Sequence, residues 1–127
     1  MPNLFLALAG LSGFLGVGIG AFGAHALKDK LTPELAATFQ TGVQYHLIHT
    51  LALFGVGLLV MVMPQATLPR TSGYLFLAGI FLFSGSLYTL AISGVRWLGA
   101  ITPLGGLCFL AAWALLTWFA LTLPTQH

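Results

Sequence analysis

The chain has 127 residues, 58% of them hydrophobic and 5% charged, with a mean hydropathy of +1.00. A soluble domain carries about 25% charged residues, so this composition excludes a water-covered surface and indicates a single integral membrane domain. The net charge of +2 rests on scattered side chains, Lys28, Lys30, Arg70 and Arg96 against Asp29 and Glu34, which excludes a basic face for nucleic acid and a polybasic lipid anchor.

The first apolar stretch predicts a membrane span over about residues 4–26. At about 1.5 Å per residue it is long enough to cross a hydrocarbon core. The "AHA" at Ala24 to Ala26 has the small-x-small form of a signal-peptidase site, but no Lys or Arg precedes the stretch, so it reads as a true span. "KDKLTPEL" then reads as a stop and a restart. Thr32 suits an N-cap, Pro33 the first helical position and Glu34 the first turn, where the helix dipole favours an anion. The second helix is therefore expected to start interfacially over 33–40 and to span over 41–63, ending before Pro64. "PQATLPR" reads as a proline-bracketed loop. The third span is expected over 74–94 and the fourth over 97–123, ending at Pro124, with Tyr74 and Trp97 as interfacial anchors. Short linkers make consecutive helices antiparallel neighbours. The expected fold is an all-α integral membrane protein, four transmembrane helices in an antiparallel bundle. Loops one and three carry Lys28, Lys30 and Arg96, the opposite face Arg70, so the positive-inside tendency puts loops one and three in the cytoplasm and both termini outside.

"QTGVQYHLIHTLAL", Gln40 to Leu53, places polar groups where each is costly. Gly42, Tyr45, His46, His49 and Leu53 share one helical face, and Gln44 points away. His25 ends the first helix and Thr102 starts the fourth on the side of loops one and three, while Ser84 and Ser86 lie near the middle of the third helix with Tyr88 closer to that side. The expectation is an inward polar cluster of His25, Tyr45, His46, His49, Ser84, Ser86, Tyr88 and Thr102 in one leaflet, open or nearly open to the loop-one side.

Four readings compete for it. The first is structural: the groups hydrogen-bond one another and pin the bundle. The second is a site for a small molecule, a lipid head group or a proton path, since an intramembrane ionisable group is a functional hypothesis by default. The third is a haem or metal held by His46, His49 and His25, which no nearby carboxylate or thiolate supports. The fourth, catalysis by Ser84 or Ser86 with His46, lacks an orienting acid, because Asp29 and Glu34 lie in loop one. No enzymatic activity and no cofactor are expected. The lone Cys108 has no intrachain disulfide partner.

On the first helix Ser12, Gly16, Gly20 and Ala24 recur every four residues, a small-residue stripe that admits a close neighbour. Packing within the bundle is favoured over a dimer seam. "GVGIGAFG" lacks a preceding strand and sits in a span, which excludes a phosphate-binding loop. The expected partners are the lipid bilayer and either a second copy of the chain or a larger membrane complex in which it is an accessory subunit.

"GAFGAHALK", "TGVQYHLIHTLAL", "FSGSLYTLAISG" and "ITPLGGLCFLAAW", in that order along nearly the whole chain, resemble a widespread family of small four-span membrane proteins catalogued as a domain of unknown function, the YgdD-like inner-membrane proteins of bacteria. The resemblance implies a four-helix protein of the bacterial inner membrane. It carries over no catalytic or binding residue.

Overall fold

A computed structural model describes residues 3–124. Helix α1, Leu4–His25, is capped by Asn3, whose side chain accepts from the Leu6 N–H at 3.1 Å and donates to the Gly57 carbonyl at 2.8 Å. One residue thus satisfies an orphan amide of its own helix and ties it to the far end of the next. Helix α2, Pro33–Val62, starts under a Thr32 cap that accepts from the Leu35 N–H at 3.2 Å. It runs unbroken for 30 residues, about 45 Å by helical rise.

The third span is composite. Helix α3, Thr67–Gly79, passes into a π-helical turn, Ile80–Ser84, and then into α4, Gly85–Ser93. The span therefore begins at Thr67, well before the expected 74. Pro69 reads in the sequence as a loop bracket, but it lies in the first turn of α3, where an amide has no intrahelical partner to lose. Gly94, in the left-handed conformation at φ 72°, ends α4. A 3₁₀ turn, Arg96–Ala100, leads into α5, Thr102–Leu121.

Among the described residues four segments are long and apolar enough to cross a membrane: α1, α2, Thr67–Ser93 and Arg96–Leu121. Large apolar side chains face outward all round, among them Phe14 (78% exposed), Phe81 (76%) and Leu121 (77%). An all-round apolar exterior is what lipid, and not water, accommodates. The core draws on every span: Phe5 and Ala9 of α1, Leu53 and Val56 of α2, Phe76 of α3, Ile80 of the π turn, and Phe109 and Ala112 of α5.

α1 lies antiparallel along α2. As α1 advances through Leu6, Gly13, Gly16, Gly20 and Gly23, α2 steps back through Gly57, Thr50, Leu47, Val43 and Phe39. A Cβ at Gly16 would sit 2.7 Å from Leu47 Cδ2. Ser12, Gly16 and Gly20 of the small-residue stripe therefore face α2. Ala24 is exposed at the edge of the seam, beside Ala36, Phe39 and Gln40. A strict four-residue repeat drifts by about 40° per step on a helix of 3.6 residues per turn, so the seam moves to Gly23. The third span lies along α5 at comparable closeness, with Gly105 against the Phe83 backbone.

Candidate functional site

Both histidines of "QYHLIH" are buried, yet the structure does not bring them together. His46 turns toward α1 and α4, and His49 turns toward α5. Around His46 the hydrogens can be assigned from elementary valence. Thr50 Oγ1 donates to the His46 carbonyl at 2.8 Å, because a carbonyl only accepts. Its one proton is then spent, so in the 2.6 Å contact with Ser12 the donor is Ser12 Oγ. Ser12 in turn accepts from His46 Nε2–H at 3.0 Å. His46 Nδ1, free of hydrogen in the neutral ring, accepts from Tyr88 Oη–H at 2.8 Å. The result is a one-way chain: Tyr88 to His46, His46 to Ser12, Ser12 to Thr50, and Thr50 back to the carbonyl of His46.

His49 is fixed in the opposite tautomer. Trp113 Nε1–H donates only, so His49 Nε2 accepts, at 3.1 Å. The proton then sits on Nδ1 and goes to the Tyr45 carbonyl at 2.8 Å. The ring stacks on Phe109 at 3.6 Å and meets Phe76 at 5.8 Å.

The remaining candidates are placed differently from the sequence reading. Tyr45 is 39% exposed, and it serves His49 with its backbone carbonyl while its ring packs on Phe83 at 4.5 Å. Ser84 donates to the Gly42 carbonyl at 2.8 Å. Ser86 donates to the Phe83 carbonyl at 2.9 Å and therefore accepts from Thr102 at 2.6 Å. Neither serine meets a histidine. His25 is exposed at the last residue of α1 and takes no part in the layer. His46 and His49 flank the midpoint of α2 instead of occupying its first turns, because residues 33–40 belong to the same helix. Polar bonds also reach the other half of the bundle, where Ser72 donates to the Ala112 carbonyl at 3.0 Å and Asn3 holds Gly57. Hydrogen-bonded polar groups thus occur in both halves of the bundle. Among the described residues no buried side-chain polar atom lacks a partner.

Sequence reasoning missed Thr50 and Trp113 and took Ser12 for a packing residue alone. Thr50 was reachable, since it follows His46 by four and Thr hydroxyls bond back to i−4 carbonyls. Trp113 was not, because its pairing depends on the register of α5 against α2.

Beside the His46 chain lies a groove of about 240 Å³. The first turn of α1 touches the third span two turns in, with Phe5 edge-on to Tyr74 at 5.1 Å. Further along the groove separates them. Leu8, Leu11, Leu15 and Ile19 form one wall; Leu77, Ile80 and Phe81 form the other. Ser12, His46 and Tyr88 close its floor, where polar atoms show only a sliver of surface. The π turn supplies Ile80 and Phe81, and Gly85 just after it also lines the space. A Cβ at Gly85 would meet nothing within 4 Å. Leu11, Leu15 and Phe81 are exposed at the rim, so the groove opens sideways into the bilayer.

A family model described as "Protein of unknown function (DUF423)" matches residues 19–106. The UPF0382 membrane protein YwdK of Bacillus subtilis is 44% identical over 114 residues, covering 90% of this chain and 93% of that relative. A UPF0382 membrane protein of Staphylococcus haemolyticus is 41% identical over 114 residues, 90% of this chain and 92% of its own. The UPF0382 inner membrane protein YgdD of Escherichia coli K12 is 42% identical over 114 residues, 90% of this chain and 86% of its own. No solved structure matches the chain.

Proposed function

The chain belongs to this DUF423 family of membrane proteins of unknown function, and from the groove and its floor we propose that it is a non-catalytic protein that holds one lipophilic molecule against the bundle. The observation that carries the reading is an apolar groove that opens to the bilayer at mid-height and has the hydrogen-bonded layer of Ser12, His46 and Tyr88 at its floor. A dry apolar cavity of about 150 Å³ accepts benzene, so 240 Å³ suits a substituted ring or one segment of a hydrocarbon chain.

Conduction is disfavoured because the one-way chain ends on the carbonyl of His46 and does not run from face to face. Catalysis is disfavoured because Ser84 and Ser86 spend their protons on carbonyls. The name of YgdD supports the inner membrane as the location, and the lysine and arginine distribution supports loops one and three on the cytoplasmic side.

Gly85→Leu tests the reading. The side chain fills the groove from open space and leaves the packing of α1 on α2 alone. Native mass spectrometry of protein released from mild detergent is expected to find a co-purified or added lipophile on the wild type and none on the variant, at unchanged helicity. A bare chain in both overturns the proposal, as does a wild type recovered only in complex with a larger protein.

A further inference from the structure

The directed hydrogen bonds at the floor of the groove have a consequence for what the groove accepts, given the reading of it as a binding site. Each hydrogen there is committed. Tyr88 Oη–H goes to His46, His46 Nε2–H to Ser12, Ser12 Oγ–H to Thr50, and Thr50 Oγ1–H to a backbone carbonyl. What remains is lone pairs. Tyr88 Oη donates but accepts nothing within the chain, and Ser12 Oγ accepts one bond and has room for a second.

A newcomer bearing only acceptors, such as a ketone, ether, ester or quinone, finds no hydrogen without breaking a bond already made. It would then set its oxygen against the oxygen of Tyr88. A newcomer bearing an O–H or N–H reaches an unused lone pair through the small polar opening at the floor. We propose that the groove selects lipophiles by the direction of hydrogen bonding: it takes alcohols, phenols, quinols or amines in preference to acceptor-only molecules of the same shape.

Place within the fold supports the assignment. The floor lies at mid-height, where water is scarce and a lipophile's donor has few other acceptors. Gly85 and the π turn leave open space in the wall beside Tyr88. The apolar walls bind both classes alike, so the difference between them rests on the floor alone.

The test is competition on the intact protein in detergent, with an equimolar mixture of 4-nonylphenol and its methyl ether, read as the two adduct peaks in native mass spectrometry. A net hydrogen bond corresponds to a preference of about threefold to tenfold for the phenol. In Tyr88→Phe the total adduct is expected to persist while the ratio falls toward one. Ser12→Ala is the second variant should Tyr88→Phe fold poorly, and it lowers the ratio without abolishing the adduct. Gly85→Leu removes both peaks. If neither molecule binds the wild type, the reading of the groove as a site falls. If both bind at a ratio of one or below, the site stands and the directional selection is overturned. A ratio kept in full by both Tyr88→Phe and Ser12→Ala also overturns it, because the selecting group then lies elsewhere.

Discussion

Glycine-to-alanine substitution at two neighbouring helical positions is expected to change stability in opposite directions. At Gly105 on α5 an added Cβ would lie 2.3 Å from the Phe83 backbone nitrogen, 2.7 Å from Phe83 Cβ and 2.8 Å from the Leu82 carbonyl carbon. Real Cβ atoms do not approach so closely, and two of the three obstacles are main chain, which no rotamer change relieves. The third span and α5 must therefore separate, opening the core around Phe109 and Ile80. Overpacking of this kind costs about 1–3 kcal/mol, and rigid backbone obstacles put Gly105→Ala at the upper end. The gain in helix propensity, about 0.8–1.0 kcal/mol, offsets a part of that and leaves a net loss of roughly 2 kcal/mol. At Gly85 nothing lies within 4 Å of the new Cβ, so the propensity gain stands by itself at about 0.8–1.0 kcal/mol. The two variants should thus differ by roughly 3 kcal/mol. Thermal unfolding of the purified protein in one detergent, followed by helicity, measures the difference. Equal midpoints for Gly105→Ala and Gly85→Ala would refute the close approach of the third span to α5.

Two further outcomes test the polar layer. Nitrogen-15 NMR of histidine-labelled protein in bilayers should find the proton on Nε2 of His46 and on Nδ1 of His49, and one shared tautomer would contradict the assigned directions of donation. A double-mutant cycle of Trp113→Phe with His49→Phe should give a coupling of about 0.6 kcal/mol, and at most about 1.7, read from unfolding midpoints. His25→Ala, at an exposed helix end, serves as the control that shifts nothing.

Residue chemistry alone made the four spans legible, because a stretch without charges and long enough for the bilayer admits few other states. The Thr32–Pro33 start of α2 was legible for the same kind of reason, since cap and first-turn preferences are local. What the sequence left out was how far the buried core runs along α2. Counting the second span from Thr41 put His46 and His49 in its first turns, whereas Phe39, before that boundary, is already buried core on the same helix. Prolines misled at Pro69, where a breaker in a helix interior is harmless in a first turn. Side-chain direction was legible only in part. His46 and His49 at i, i+3 fall on one broad face, but a separation of about 60° around the axis lets one meet α1 and the other α5. Ser12 illustrates the general limit: its role depends on which residue of α2 lies opposite, and register is set by the sum of contacts along both helices.

The buried polar residues of this bundle are tolerable at mid-membrane depth because each finds a partner across a helix seam, and the seams exist because small residues let the helices close. Ser12 reaches both His46 and Thr50 only because Gly13 and Gly16 bring α1 close to α2 at the same height. Where that closeness is absent, between α1 and the third span, the side chains do not meet and the groove remains. The π turn contributes to that gap. Its wider winding places Ser84 against the Gly42 carbonyl on α2 and brings Phe83 up to Gly105 on α5, while Phe81 is left outward at the groove rim. The same local distortion therefore tightens the core on two sides and leaves the third open to lipid. A regular α-helix through Ile80–Ser84 would rotate every residue of α4 by one position relative to α3, and Tyr88 would no longer reach His46. The floor of the groove and the groove itself thus depend on one feature of the third span, which is why a functional reading that uses both is more economical than one that treats the histidine layer as packing alone.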